Sequence, residues 1–121
     1  MRGNINGTDF EEAYAPRQQV KDSITAFATG GQANATLLPA SISRVTTVGT
    51  AGDSVKLPVT KGLTGLTILV INATGTSMNV FPASGEAIDN LGANAAKAIA
   101  GNKSCDFTIT GDGQWHAVLS A

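Results

Sequence analysis

Apolar and polar residues alternate in short stretches along most of the chain, and turn residues separate the stretches. The clearest stretch is 103–110, where Cys105, Phe107 and Ile109 are expected to face inward while the residues between them face solvent. The turn at 111–113 contains two glycines, which adopt positive φ without strain, and it predicts a hairpin. The pattern therefore indicates two antiparallel strands at the end of the chain.

The strand after this turn is predicted over residues 114–120, with Trp115, Ala117 and Leu119 on its inward face. The strongest single prediction is a strand over residues 66–72, which are almost continuously apolar and are expected to lie centrally, covered on both faces. Residues 78–81 are expected to pair back on it as a hairpin partner.

The first half of the chain predicts further short strands over residues 23–29, 42–48 and 55–57. Residues 37–39 are expected to be an extended edge, because proline is confined to strand edges and ends. Each of these stretches ends near turn residues, which favours short strands over helices.

Two segments depart from the alternation. Residues 82–94 predict an irregular loop, from which Ile88 and Leu91 are expected to fill the core. Residues 95–100 are rich in alanine, which favours a helix, but they are too few for a stable one. With about eight short strands and no long helix, the chain is expected to be an all-β, single-domain β-sandwich or barrel.

The charges are distributed unevenly. Charged residues make up 14% of the chain, against roughly a quarter in an average soluble domain. Residues 1–22 hold seven of them, whereas Arg44 is the single charged residue between 23 and 52. A surface this poor in charge is weakly protected against association, so we expect an assembly component. Residues 1–22 are expected to form an extended N-terminal arm that orders on a partner, or else a disordered leader, and residues 23–121 the β-domain.

Composition excludes several classes of function. The net charge of −1 gives no cationic field for nucleic acid. The apolar runs are too short to span a membrane. A single cysteine forms no disulfide within the chain, and no signal-peptide core is present near residue 1, so we expect synthesis in the cytoplasm.

Candidate chemistry is sparse. His116 is the only histidine, so a histidine metal site would need His116 from three copies of the chain to meet on a three-fold axis. We favour the simpler interpretation that His116 is a strand residue facing solvent or a neighbour. Cys105 is expected to behave as a small buried hydrophobe. Glu86 and Asp89 are expected to be solvated loop acids, because calcium needs six to eight oxygen ligands. We therefore expect no enzyme, no cofactor and no metal.

Four segments carry a resemblance to a small β-rich module of tailed-bacteriophage virion proteins. They are residues 52–58 (Gly-Asp-Ser-Val-Lys-Leu-Pro), 69–73 (Leu-Val-Ile-Asn-Ala), 80–91 (Val-Phe-Pro-Ala-Ser-Gly-Glu-Ala-Ile-Asp-Asn-Leu) and 113–116 (Gly-Gln-Trp-His). These segments lie within residues 52–116, a little over half the chain, and residues 1–22 lie outside the resemblance.

In a protein this small, the resemblance implies a head decoration or cement protein, located on the capsid surface of the virion. Such proteins are usually homotrimers that bind the major capsid protein and stabilise the shell. A tail, collar or head-fibre attachment module is the alternative within the virion. A carbohydrate-binding β-sandwich is the alternative outside it, with Tyr14 and Trp115 as its possible aromatic platforms.

Two groups of contact residues follow from these expectations. The arm supplies apolar and cationic side chains for capsid contact: Arg2, Phe10, Tyr14 and Arg17. The charge-poor stretch supplies small and apolar side chains for the subunit interface: Ile24, Ala26, Phe27, Ala28, Ile42 and Val45.

Overall fold

The computed structural model describes residues 19–28 and 31–121, and in these ranges the chain is all-β, with ten strands in two sheets. The strands are β1 Val20–Thr25, β2 Thr36–Leu37, β3 Ile42–Thr47, β4 Ser54–Lys56, β5 Thr67–Asn72, β6 Met78–Phe81, β7 Ala87–Ile88, β8 Lys97–Ile99, β9 Ser104–Gly111 and β10 Gln114–Leu119. No helix among the described residues is long and apolar enough to span a bilayer.

The first six strands alternate between the two sheets. The large sheet has the order β1-β3-β5-β9-β10-β7 and the small sheet the order β2-β4-β6-β8. β1, β3 and β5 are parallel neighbours, as are β2, β4 and β6. Each successive pair of strands thus forms one coil, and three coils stack in a solenoid-like arrangement.

The last part of the chain reverses this direction. β8 pairs antiparallel with β6, and β9 pairs antiparallel with β5. β10 returns antiparallel to β9 and pairs in parallel with the short strand β7. Antiparallel strands therefore extend both sheets beyond the third coil.

One hydrophobic cluster lies between the sheets and receives side chains from both. β5 illustrates the reason, since its inward residues are buried and its outward residues are half-buried in strict alternation. The fully buried apolar side chains of the large sheet include Val45, Val70, Phe107, Ile109 and Trp115, and those of the small sheet include Val55, Met78, Val80 and Ile99.

The structure confirms the strand predicted over 42–48, the edge position of residues 37–39 and the closing hairpin. The predicted inward residues Cys105, Phe107 and Ile109 are buried, as are Trp115 and Ile88. Gly113 has the expected positive φ, of 80°.

Other predictions are wrong. β6 does not pair with β5 but lies in the small sheet between β4 and β8, because the chain crosses between the sheets after Asn72. The central strand β5 is covered on one face and half-exposed on the other. Residues 95–100, which the sequence left unassigned, contain the strand β8 over residues 97–99. The first strand covers Val20–Thr25 and not residues 23–29 as predicted.

Two leucines expected in the core are exposed. Leu91 lies in the turns that follow β7, outside any strand. Leu119 lies where β10 has passed the end of β7 and pairs with β9 alone. The all-β class is confirmed. The predicted sandwich or barrel is not clearly present, because the strands alternate between two open sheets in a solenoid-like arrangement.

Candidate interaction surface

The strands that begin the solenoid leave one end of both sheets open. Within the described residues, β1 pairs with β3 alone and β2 with β4 alone. One bond links the two strands, from the Thr36 hydroxyl to the Thr25 carbonyl at 2.8 Å. We call β1 and β2 together the open end. Outer edges of this kind can pair with another chain unless something covers or distorts them.

β1 carries such a distortion. Its register against β3 shifts between Lys21 and Ile24, and Ser23 has a positive φ of 61°. A bulge of this kind breaks the regular row of edge donors and acceptors. β2 shows no register shift against β4 and is the more regular edge.

Large apolar side chains are exposed at this end. Val20 on β1 is 64% exposed and Leu37 on β2 is 57% exposed. Val59, which follows β4 in the chain, is 58% exposed. Leu37 and Val59 line one groove, and adjacent exposed apolar groups are typical of contact sites for other macromolecules.

Two grooves flank Pro58 and continue this apolar surface. The Pro39 groove has a volume of about 350 Å³ and is lined by Gln19, Leu38, Pro39, Ala40, Ser41, Pro58, Leu66 and Ile68. The Val59 groove has a volume of about 360 Å³ and is lined by Leu37, Lys56, Leu57, Pro58, Val59, Ala83 and Ser84. Lys56 is the charged residue among these linings, so the grooves favour apolar contacts.

An ion pair joins β1 to β3 at the open end. Arg44 Nη1 lies 2.8 Å from Asp22 Oδ1, and both side chains are about half exposed. The hydrogen bond from Arg44, followed by the bond from the Ser23 backbone N–H, lowers the pKa of Asp22 below its usual value of 3.8. The two charges offset each other across β1 and β3.

The residues expected to form a subunit interface separate into two groups. Ile24, Ala26 and Val45 are buried in the core of the single chain, because inward-facing residues of β1 and β3 cover the space between the sheets. They have no surface to offer a second subunit. Phe27 and Ala28 are exposed.

Ile42, the last of the residues predicted for the subunit interface, lies on β3 and is half-buried. The expected capsid contacts Arg2, Phe10, Tyr14 and Arg17 lie outside the described residues.

The acids predicted to be solvated have structural roles instead. Glu86 Oε2 accepts hydrogen bonds from the Thr60 backbone N–H at 3.1 Å and from the Thr60 hydroxyl at 2.9 Å. The Gly113 N–H donates to the same hydroxyl oxygen at 2.6 Å. Because Thr60 is fully buried, this network fixes the loop after β4 against the β9–β10 turn.

Asp89 holds the strand β10. Its Oδ1 accepts the Ala117 N–H at 2.9 Å and lies 3.4 Å from His116 Nδ1, while its Oδ2 lies 3.8 Å from Lys97 Nζ. The carboxylate thus supplies the partner that β10 lacks where β7 has ended. His116 is exposed, as the sequence predicts.

Nucleophilic chemistry finds no support at Cys105. Burial raises the pKa of its thiol to about 11, so the protonated form predominates near neutral pH, and a thiol of that form is a weak nucleophile. Among the described residues, no three acidic, histidine or cysteine side chains lie close enough together to hold a metal ion.

Comparisons with protein-family models, with curated proteins and with solved structures find no match to this chain. The candidate site therefore rests on the geometry of the open end and of the two grooves.

Proposed function

We propose that this chain is a structural assembly protein that contacts other subunits through its open end. The observation that carries the proposal is the exposure of Val20, Leu37 and Val59 on neighbouring elements, beside a sheet edge with which no other described strand pairs. Apolar side chains and an edge of this kind are stabilised when another chain covers them.

The assembly we propose is a homotrimeric head decoration, or cement, protein on the capsid of a tailed bacteriophage. Its support is the resemblance of residues 52–58, 69–73, 80–91 and 113–116 to a virion module, together with the low charge content. The partner is the major capsid protein, and the task is mechanical, because added interface area opposes expansion of the shell.

The two sheets supply the rigid body for this task. We propose that they act as the two layers of a sandwich, with the open end, rather than either face, as the contact surface between subunits. Within the proposed trimer, the contact extends beyond the open end to Phe27 and Ala28, which follow β1, and to Ile42 on β3. These residues take the place of the buried Ile24, Ala26 and Val45.

A matched pair of substitutions tests the subunit contact. Leu37 at the open end and Val118 on β10 have the same exposed fraction, 57%. We expect Leu37→Asp to dissociate the oligomer at micromolar concentration, as measured by light scattering, and Val118→Asp to leave it assembled. A wild-type chain that is a folded monomer at that concentration would contradict the proposal.

Location in the particle tests the virion role separately. Electron microscopy of purified particles is expected to place the protein in regular copies on the outside of the capsid. A position at the tail, collar or head fibre would instead support the alternative attachment module. Trp115 is fully buried, so nothing in the described residues favours a carbohydrate site built on its ring.

A further inference from the structure

We propose that the pair Asp112–Gly113, in the turn between β9 and β10, is a site of spontaneous aspartate isomerisation, and that the buried hydroxyl of Thr60 sets its rate. The chain places an aspartate directly before a glycine here. Because glycine has no Cβ, no side chain hinders the approach of its nitrogen to the preceding carboxyl group. The space beside Gly113 is also empty, since a Cβ built there would meet nothing within 4 Å.

The reaction joins two groups that are neighbours in the chain. The Gly113 nitrogen attacks the carboxyl carbon of Asp112 and a C–N bond forms, while the hydroxyl of the carboxyl group leaves with the amide proton as water. Water then opens the resulting succinimide ring at one of its two carbonyls. One opening restores the aspartate, and the other leaves an isoaspartate that links the chain through the side-chain carboxyl carbon. The step needs no oxidant, reductant or second protein.

The turn requires the glycine that makes this pair reactive. Gly113 has a φ of 80°, which residues with a side chain rarely adopt. Asp112 is exposed, and among the described residues no hydrogen bond or ion pair holds its carboxyl group. The carboxyl group can therefore rotate towards the backbone nitrogen, so any protection has to come from the contacts of Gly113.

Both backbone groups of Gly113 are held by buried or paired partners. Its N–H donates to Thr60 Oγ1 at 2.6 Å, and its carbonyl accepts the Ala87 N–H at 2.9 Å. Thr60 is fully buried, and its own hydroxyl donates to Glu86 Oε2 at 2.9 Å. A carboxylate at the end of such a chain polarises the hydroxyl and strengthens the bond from Gly113. While this bond is intact, the peptide plane cannot turn towards the Asp112 carboxyl carbon.

Isomerisation thus depends on how often the Gly113 amide is released from Thr60. Local release of a turn is more frequent than global unfolding, and slow chemistry follows the population of the released state. An isoaspartate adds one methylene to the backbone of the turn, which displaces the two groups of Gly113 that bind Thr60 and Ala87. The modification would loosen the turn from β7 and from the loop after β4. This chemistry does not depend on the virion role.

Matched valine substitutions test the role of the hydroxyl. Thr60→Val removes it and nearly keeps the shape of the side chain. Thr67→Val is the control, because the Thr67 hydroxyl bonds to Thr108 at 2.9 Å, elsewhere in the large sheet. During incubation of the folded full chain at neutral pH, we expect isoaspartate at Asp112 to accumulate about tenfold faster in Thr60→Val than in the wild type, since loss of the bond favours release. Thr67→Val should match the wild type.

Peptide mapping provides the measurement. Trypsin releases residues 104–121 as one peptide, because no lysine or arginine follows Lys103. Electron-transfer fragmentation then distinguishes isoaspartate at Asp112 from isoaspartate at Asp106. Asp106 is followed by Phe107 and serves as a control within the same peptide.

Two outcomes of this comparison would overturn the proposal. One is an equal rate at Asp112 in Thr60→Val and in the wild type. The other is a rise in Thr60→Val at Asp112 and Asp106 together, which would assign the reaction to global unfolding. Thr60→Ser keeps the hydroxyl and should stay close to the wild-type rate.

Hydrogen exchange of the wild-type protein tests the same contact without any substitution. The Gly113 amide is expected to exchange at least about tenfold more slowly than in an unstructured peptide of the same sequence, because its N–H is bonded to a buried group. Exchange at the peptide rate would show that the Thr60 hydroxyl does not hold this amide, and the proposal would fail.

Discussion

The side-chain amide of Asn72, at the end of β5, donates a hydrogen bond of 3.0 Å to the carbonyl of Ile99 on β8, in the opposite sheet. The same nitrogen donates to the Thr76 carbonyl at 2.8 Å. Asn72 Oδ1 accepts the Thr74 N–H at 3.1 Å and the Thr74 hydroxyl at 2.7 Å. One buried side chain therefore fixes both the crossing between the sheets and the strand that ends the small sheet.

Asn72→Leu is expected to lower the free energy of unfolding by about 3 kcal/mol, because buried carbonyls lose their donor. Urea denaturation monitored by Trp115 fluorescence measures this change. Asn90→Leu, in an exposed loop position, is the control and should shift stability by less than about 0.5 kcal/mol. Equal effects of the two substitutions would contradict a sheet-joining role for Asn72.

A close backbone crossing lies beside this side chain. A Cβ atom added at Gly101 would stand 2.5 Å from the carbonyl carbon of Gly75 and 2.7 Å from its oxygen. Gly101→Ala is thus expected to destabilise the protein by about 1–3 kcal/mol through overpacking. Gly111→Ala is the matched control, since a Cβ there meets nothing within 4 Å, and thermal unfolding of the pair gives the comparison.

Trp115 is a packing anchor between the end of β7 and the closing hairpin. Its ring meets Phe107 edge to face, with centroids 6.4 Å apart and an interplanar angle of 86°. Trp115→Ala is expected to cost about 3–5 kcal/mol, as for other large buried aromatics.

Trp115→Phe should cost much less than the alanine change. It keeps most of the buried ring, and the indole N–H has no hydrogen-bond partner among the described residues. Chemical denaturation of both variants, followed by far-UV circular dichroism, measures the difference. An alanine variant that kept its stability and lost only ligand binding would instead indicate an exposed platform.

The closing hairpin could be predicted because two local signals agree there. Cys105, Phe107 and Ile109 alternate with polar residues, and the turn that follows contains Gly111 and Gly113. Both signals lie within a few residues of each other, so the pairing of β9 with β10 needs no information from elsewhere in the chain.

The placement of β6 could not be predicted in the same way. A turn with glycine follows Asn72 and resembles a hairpin turn, yet here it carries the chain from one sheet to the other. The pairing of β6 with β4 joins residues far apart in sequence and leaves no local pattern. A sandwich and a stack of coils also differ only in which distant strands pair, so the local sequence pattern does not distinguish them.

The candidate surface was predictable only in part, because Val20 and Val59 lie outside the charge-poor stretch of residues 23–52. The charge-poor stretch does contain Leu37 and the open edge of β2. It also contains Ile24 and Ala26, which are buried in the core. Composition indicates that a segment is apolar, whereas which side of it faces the core depends on the opposite sheet.

The last prediction concerns alkaline pH and Cys105. Burial raises the pKa of this thiol from 9.0 to about 11, whereas unfolding exposes it and restores its usual pKa. Below about pH 9 both states keep the proton, so the contribution to stability is fully present there. Between about pH 9 and pH 11 the thiol ionises in the unfolded chain but keeps its proton in the folded protein. The free energy of unfolding therefore falls by about 2 kcal/mol across this window.

The Cys105→Ala variant isolates the contribution of the thiol, because the lysine and tyrosine side chains titrate equally in the variant and in the wild type. The variant is expected to be less stable than the wild type at pH 8, and the difference should narrow as the pH rises to 11. Urea denaturation at each pH, under reducing conditions, measures both curves. A difference that stayed constant from pH 8 to pH 11 would mean that the thiol titrates alike in the folded and unfolded chain, and that its burial does not oppose ionisation.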